Sequence, residues 1–160
     1  MADMPARLPL TRPALFVATL AGVGYAPWAP GTAGSLAALP FAWLIARGWG
    51  EGGLLVAAAV LFVVGWWASS IATQLLGNDP RLVVVDEAAG QWLALAVVPL
   101  DPWYYLAGFL LFRLFDVWKP WPVGWADRRI GGGFGVMFDD VLAALYAACL
   151  LLLARFLLGR

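Results

Sequence analysis

The chain has no histidine and one cysteine, Cys149. Without histidine there is no Ser-His-Asp triad, no phosphohistidine chemistry and no His-ligated zinc. Acid–base work falls to Asp, Glu, Lys, Tyr or water. A single cysteine forms no intrachain disulfide and gives no sign of an oxidising compartment. Charge is scarce as well: 12% of residues, against about 25% in an ordinary soluble domain. The ten cations and ten anions cancel. A neutral chain lacks the cationic surplus that holds nucleic acid, so no nucleic-acid partner is expected.

Apolar residues are abundant, at 63% of the chain. So apolar a chain could not cover its own core with polar surface in water, and the bilayer is its natural solvent. Its 160 residues suit one domain, 1–160. Arg7 and Arg12 precede an apolar stretch over 14–23, but a Gly/Pro-rich segment follows where a small-residue cleavage site would stand. A cleaved signal peptide is not expected.

The expected fold is all-α and polytopic, with about five helices of unequal length. Residues 54–76 carry no charge and are long enough to cross about 30 Å of hydrocarbon. Residues 141–158 form a second span, with Asp139 and Asp140 expected at its N-cap and first turn. The runs 35–46, 88–100 and 103–112 are each too short to cross alone. Counting crossings puts the linkers 22–35, 79–87 and 113–140 on one face. That face carries Arg7, Arg12, Arg81, Arg113, Lys119, Arg128 and Arg129, against Arg47, Arg155 and Arg160 opposite. The positive-inside rule makes the linker face cytoplasmic.

Those linkers hold most of the charge, glycine and proline. In the first, Gly31 and Gly34 allow a tight turn, and Thr32 and Ser35 supply hydroxyls at a helix start, where N–H groups can meet an anion. In the second, Asp86 and Glu87 stand between apolar runs. Acids at that depth need pairing or a metal, and hard carboxylate oxygens suit magnesium. In the third, helical spacing places Arg113, Asp116 and Lys119 along one stripe before Pro120, with Trp118 and Trp121 suited to the membrane interface. Beyond them, a flexible glycine run, Gly131 to Gly135, leads to the acid pair Asp139 and Asp140. Paired acids, several cations and no histidine suit metal-assisted phosphoryl chemistry. Cys149 and Arg155 have the spacing of cysteine phosphatases, but the leucines between them read as helix core, with nothing to lower the thiol pKa.

Taken together, these segments resemble the phosphatidylglycerophosphatase A family. The resemblance lies in 29–38 (Ala-Pro-Gly-Thr-Ala-Gly-Ser-Leu-Ala-Ala), in Val85-Asp86-Glu87 with Gly90 and Trp92, in 112–116 (Phe-Arg-Leu-Phe-Asp) with 118–122 (Trp-Lys-Pro-Trp-Pro), and in 132–140 (Gly-Gly-Phe-Gly-Val-Met-Phe-Asp-Asp). It implies hydrolysis of phosphatidylglycerophosphate to phosphatidylglycerol and phosphate, with Mg2+, at the bacterial plasma (inner) membrane. Ala88-Ala89 departs from the bulkier pair common there, which should alter packing more than chemistry. On this reading Asp86, Glu87, Asp139 and Asp140 hold magnesium against the phosphate. Arg113, Lys119 and Arg128 neutralise its charge. Thr32, Ser35 and the N–H groups near Gly31 and Gly34 cradle an oxygen, and Asp116 is the nucleophile or the base for water. The competing readings are a phosphatase for another membrane lipid phosphate, a small channel or transporter, and a structural membrane subunit. Acids at helix ends and the lack of a repeat count against transport. Oligomeric state is open.

Overall fold

The computed structural model describes residues 13–77 and 80–159. Arg7, Arg12, Asp79 and Arg160 lie outside the described residues. Among the described residues six α-helices run in the order α1 (Pro13–Ala18), α2 (Pro30–Leu76), α3 (Val85–Leu95), α4 (Pro102–Trp118), α5 (Val123–Arg129) and α6 (Gly132–Leu157), with a 3-10 turn at Val23–Tyr25 after α1. No strand occurs among the described residues.

The five expected apolar helices all form, but their ends differ in ways that matter for the site. Runs 35–46 and 54–76 are two arms of α2, folded at Gly50 (φ 70°, ψ −170°), a backbone conformation open to glycine. Ala42 and Leu54 then share one buried cluster. Pro30 opens the first arm, where its missing N–H costs nothing. Gly31, Thr32, Gly34 and Ser35 are therefore in the first turns of a helix, not in a turn before it.

The expected cap role of Asp139 and Asp140 is also corrected. Helix α6 begins at Gly132, and neither acid falls in its first turn; they lie about two turns inside. The glycine run is helical instead of a flexible link. Tertiary packing overrides its weak helix propensity: a Cβ on Gly133 would collide with the Ser70 backbone, and one on Gly135 with the Ile130 carbonyl.

The linkers gather at one end of the helices. There Val84 N–H donates to the Ala18 carbonyl at 2.9 Å, Gly31 abuts Glu87, and Gly133 abuts Ser70. At the opposite end Arg155 Nη1 donates to Glu51 Oε2 and to the Val97 carbonyl, both at 2.9 Å. Arg155 is thus remote from the acids, and Cys149 is a free thiol within α6. Asp101 caps α4 by accepting from Trp103 N–H at 2.8 Å.

Two helices, Pro30–Leu76 and Gly132–Leu157, are long and apolar enough to cross a membrane. Helix α3, with 11 residues, reaches only about 16 Å and stays inside the bundle. Small residues let α2 and α6 approach it closely, with Ala68, Ala72 and Ala89 in one cluster and Ala94, Ala143, Ala144 and Ala147 in another. Large apolar side chains such as Phe41, Leu44, Val56, Val60 and Val63 face outward. Exposed tryptophans mark both ends, Trp28, Trp118 and Trp121 with the linkers and Trp49 and Trp103 opposite, as in the aromatic belts of membrane proteins.

Candidate active site

A cavity of about 450 Å³ opens at the linker end. Its walls come from the first turn of α3, the C-terminal end of α4, the last turns of α5 and the start of α6. Six acids line it: Asp86, Glu87, Asp116, Asp127, Asp139 and Asp140. Lys119, Arg128 and Arg129 line it too.

Asp86, Glu87 and Asp140 converge, each offering a carboxylate oxygen, and these oxygens lie within 4.8 Å of one another. The approach is permitted at Gly90, where a Cβ would lie 3.1 Å from the Asp140 carbonyl and closer still to the Phe112 ring. Asp86 Oδ1, Glu87 Oε2 and Asp140 Oδ2 are all buried without a hydrogen-bond partner. Three converging carboxylates that each bury an unpartnered oxygen are strongly unfavourable unless a cation joins them. With Arg113 counted beside Lys119, Arg128 and Arg129, the six acids keep an excess of two negative charges, which one divalent ion balances. The buried acidic cluster is fit to hold a metal ion, and its all-oxygen donor set suits a hard one.

Asp139 is held differently. Lys119 Nζ donates to Asp139 Oδ2 at 2.8 Å and also to Asp127 Oδ1. Lys119 is the residue after α4, in left-handed backbone (φ 50°), so it leaves the helical stripe of Arg113 and Asp116 and swings toward α5 and α6. Burial alone would lower the pKa of Lys119, but the Asp127 and Asp139 carboxylates outweigh it and hold the ammonium above the ordinary lysine range. Lys119 is thus held as a cation between the two carboxylates.

Arg113 pairs with Asp116 one turn on, by Nη1 to Oδ2. The same Nη1 lies beside Gly31, as does Glu87 Oε1, so the lack of a side chain at 31 brings α2 against both groups. Neither Gly31 nor the rest of that motif lines the cavity, and Arg113 stands behind Asp116 and Glu87 without lining it. Gly34 packs on Val84, and Ser35 is fully buried with its hydroxyl donating to the Gly31 carbonyl at 3.1 Å. Thr32 is half-buried and does not line the cavity.

Asp127, Arg129 and Gln91 escaped the sequence reading. Asp127 follows Lys119 at a spacing with no helical meaning, because a turn at 119–122 intervenes. Arg129 stood in view without a role. Gln91 is wholly buried on α3, with neither Nε2 nor Oε1 partnered, one turn beyond Glu87; a polar residue inside an apolar run was the available signal.

Fold and cavity define an all-helical membrane protein with an acid-lined, cation-ready site for phosphate chemistry. The family model for phosphatidylglycerophosphatase A matches residues 16–155. Phosphatidylglycerophosphatase A of Escherichia coli is 37% identical over 147 residues, covering 91% of this chain and 85% of that protein. Its namesake in Haemophilus influenzae is 37% identical over 143 residues, with 88% of each chain covered. A Bacteroides thetaiotaomicron protein provisionally named phosphatidylinositol-3-phosphatase is 39% identical over 158 residues, covering 91% of this chain and 95% of its own. No solved structure matches. The chain belongs to the phosphatidylglycerophosphatase A family and is a membrane phosphatase.

Proposed function

We propose that the protein removes the terminal phosphate of phosphatidylglycerophosphate, leaving phosphatidylglycerol, with Mg2+ as cofactor. The observation that carries this reading is the convergence of Asp86, Glu87 and Asp140 within 4.8 Å in a chain of this family. Asp86, Glu87 and Asp140 would hold the ion, with Asp139 beside them. When bound, the ion would screen the phosphate oxygens and favour attack at phosphorus.

The chain's own groups supply the rest. Lys119 and Arg128 present fixed positive charge to the phosphoryl oxygens. The start of α2 at Gly31, with Thr32 close by, forms the wall behind Glu87 and Arg113, while Gly34 and Ser35 hold that wall against α3. Asp116, oriented by Arg113, lines the cavity and either attacks phosphorus itself or takes the proton of the attacking water. In either route the P–O bond to the glycerol breaks. With water as nucleophile, Asp116 passes the water's proton to the leaving glycerol oxygen. After direct attack the glycerol oxygen takes a proton from solvent, and water then hydrolyses the aspartyl phosphate, returning that proton and freeing Asp116 and phosphate. Acid quenching of turnover on 32P-labelled lipid separates the two routes, since only direct attack leaves label on the protein.

The exposed tryptophans beside the cavity support a site at headgroup depth, with the acyl chains still in the bilayer. Arg81, Arg113, Lys119, Arg128 and Arg129 at this end support a cytoplasmic orientation in the inner membrane.

The Bacteroides relative favours a second substrate for comparison, a phosphoinositide. Both named substrates carry a phosphomonoester on a headgroup joined to the lipid by a phosphodiester. Phosphate release from each lipid by purified protein, with Mg2+ and with chelator, tests the assignment. Release from phosphatidylglycerophosphate that stops with chelator supports it. No release from folded protein removes it.

A further inference from the structure

We propose that Arg129 is the main contact of a second anion subsite, at the outer edge of the cavity, which takes the phosphodiester of a lipid whose phosphomonoester sits at the acids. This rests on the reading above and adds the feature by which the site would prefer two-phosphate lipids.

Lys119 is held by Asp127 and Asp139, and Arg113 by Asp116. Arg128 and Arg129, in the last turn of α5, both line the cavity and have no ion-pair partner among the described residues. Their placement differs. Arg128 folds back over Gly124, with Nη1 3.3 Å from where a Cβ would stand, beside the Lys119 carbonyl. It therefore stands beside Lys119. Arg129, the next residue, projects about 100° around the short helix, away from Lys119; both arginines are exposed.

The cavity is therefore graded. Asp86 and Asp140 are buried at its inner end, at 8% and 3% exposure, and the exposed Arg129 lines its solvent side. A lipid of this class has two charged groups a few bonds apart. The monoester belongs with the acids and their ion, so the diester, nearer the acyl chains, falls toward the rim. A guanidinium there offers two parallel donors to two phosphodiester oxygens.

The test compares wild type with Arg129→Gln and Arg129→Lys in uncharged detergent micelles. Two inhibitors report the two subsites: short-chain phosphatidylglycerol carries only the diester, and inorganic phosphate only the inner group. Expected for Arg129→Gln is a KM for phosphatidylglycerophosphate raised about tenfold, with kcat little changed. Inhibition by phosphatidylglycerol should weaken by a similar factor while inhibition by inorganic phosphate stays the same. Arg129→Lys should restore part of the loss. Equal weakening of both inhibitors, or no weakening of either, overturns the subsite. An effect seen only in anionic vesicles and absent in uncharged micelles also overturns it, and assigns Arg129 to the membrane surface. Failure of the wild type to release phosphate from the lipid is a separate outcome that removes the parent reading instead.

Discussion

Gly90 in α3 packs against the backbone of Asp140 in α6: a Cβ there would lie 3.1 Å from the Asp140 carbonyl and 2.7 Å from the Phe112 ring. Two of the three converging acids are on α3 and the third is Asp140 itself, so this contact sets the distance across the cluster. Gly90→Ala should push the helices apart. We expect a loss of about 1–3 kcal/mol from overpacking, read by thermal melting, and a larger proportional fall in phosphate release. Gly48→Ala is the control: its Cβ meets nothing within 4 Å, and stability should hold or rise.

The acids should divide into two groups by cation affinity. Asp86 and Asp140 are in the converging cluster, whereas Asp139 is in contact with Lys119. Asp86→Asn and Asp140→Asn should each weaken Mn2+ binding by tenfold or more, about 1.4 kcal/mol, measured by electron paramagnetic resonance on the detergent-solubilised protein. Asp139→Asn should weaken it less and should chiefly lower turnover. Equal losses in all three would place Asp139 in the first coordination sphere.

Lys119 ties the α4 end to α5 and α6. Its replacement by Met should cost about 1 kcal/mol, since it removes two partly exposed ion pairs. The sign of its pKa shift sets the pH dependence. A cation whose folded pKa is raised stabilises fully below its unfolded pKa and loses that contribution only as pH climbs through the higher folded value. The difference in stability between wild type and Lys119→Met should stay level from about pH 7 to pH 9, by chemical denaturation. A difference that shrinks across that interval would mean Lys119 titrates there and is not a fixed cation.

Much of this site was legible because of how unlike its surroundings it is. In so apolar a chain, Asp86, Glu87, Arg113, Asp116, Lys119, Asp139 and Asp140 stand out, and crossing parity puts them at one end. The apolar runs also announced the helices, because hydrophobic length is a local property. What stayed hidden is what long-range packing decides. Propensity argues against helix over 132–135, and the close fit of Gly133 onto Ser70 of α2 favours a start there that carries Asp139 and Asp140 inside α6. The left-handed turn at Lys119 likewise diverts that side chain from Asp116 to Asp127 and Asp139, a pairing that no sequence spacing encodes.

Gln91 offers the sharpest contrast between stability and function. Gly31 of α2 faces Glu87 of α3, and Trp92 Nε1 donates to the Ala38 carbonyl at 2.9 Å. The two helices run in the same direction, so Gln91 lies one turn deeper than Glu87, at the level of Ser35. Its amide is wholly buried and unpartnered, as are Glu87 Oε2 and Arg113 Nε near the same wall. Each unsatisfied polar group costs about 1–3 kcal/mol. Gln91→Met keeps the length and removes the polar atoms, so the fold should become more stable by about that much. If the amide serves only packing, phosphate release should be unchanged or improved. If it steadies Glu87 during turnover, release should fall severalfold in a protein that melts at a higher temperature, and Mn2+ should bind less tightly. A stabilised variant with full activity would reduce Gln91 to a core residue; a stabilised variant with impaired turnover would make it part of the site's support.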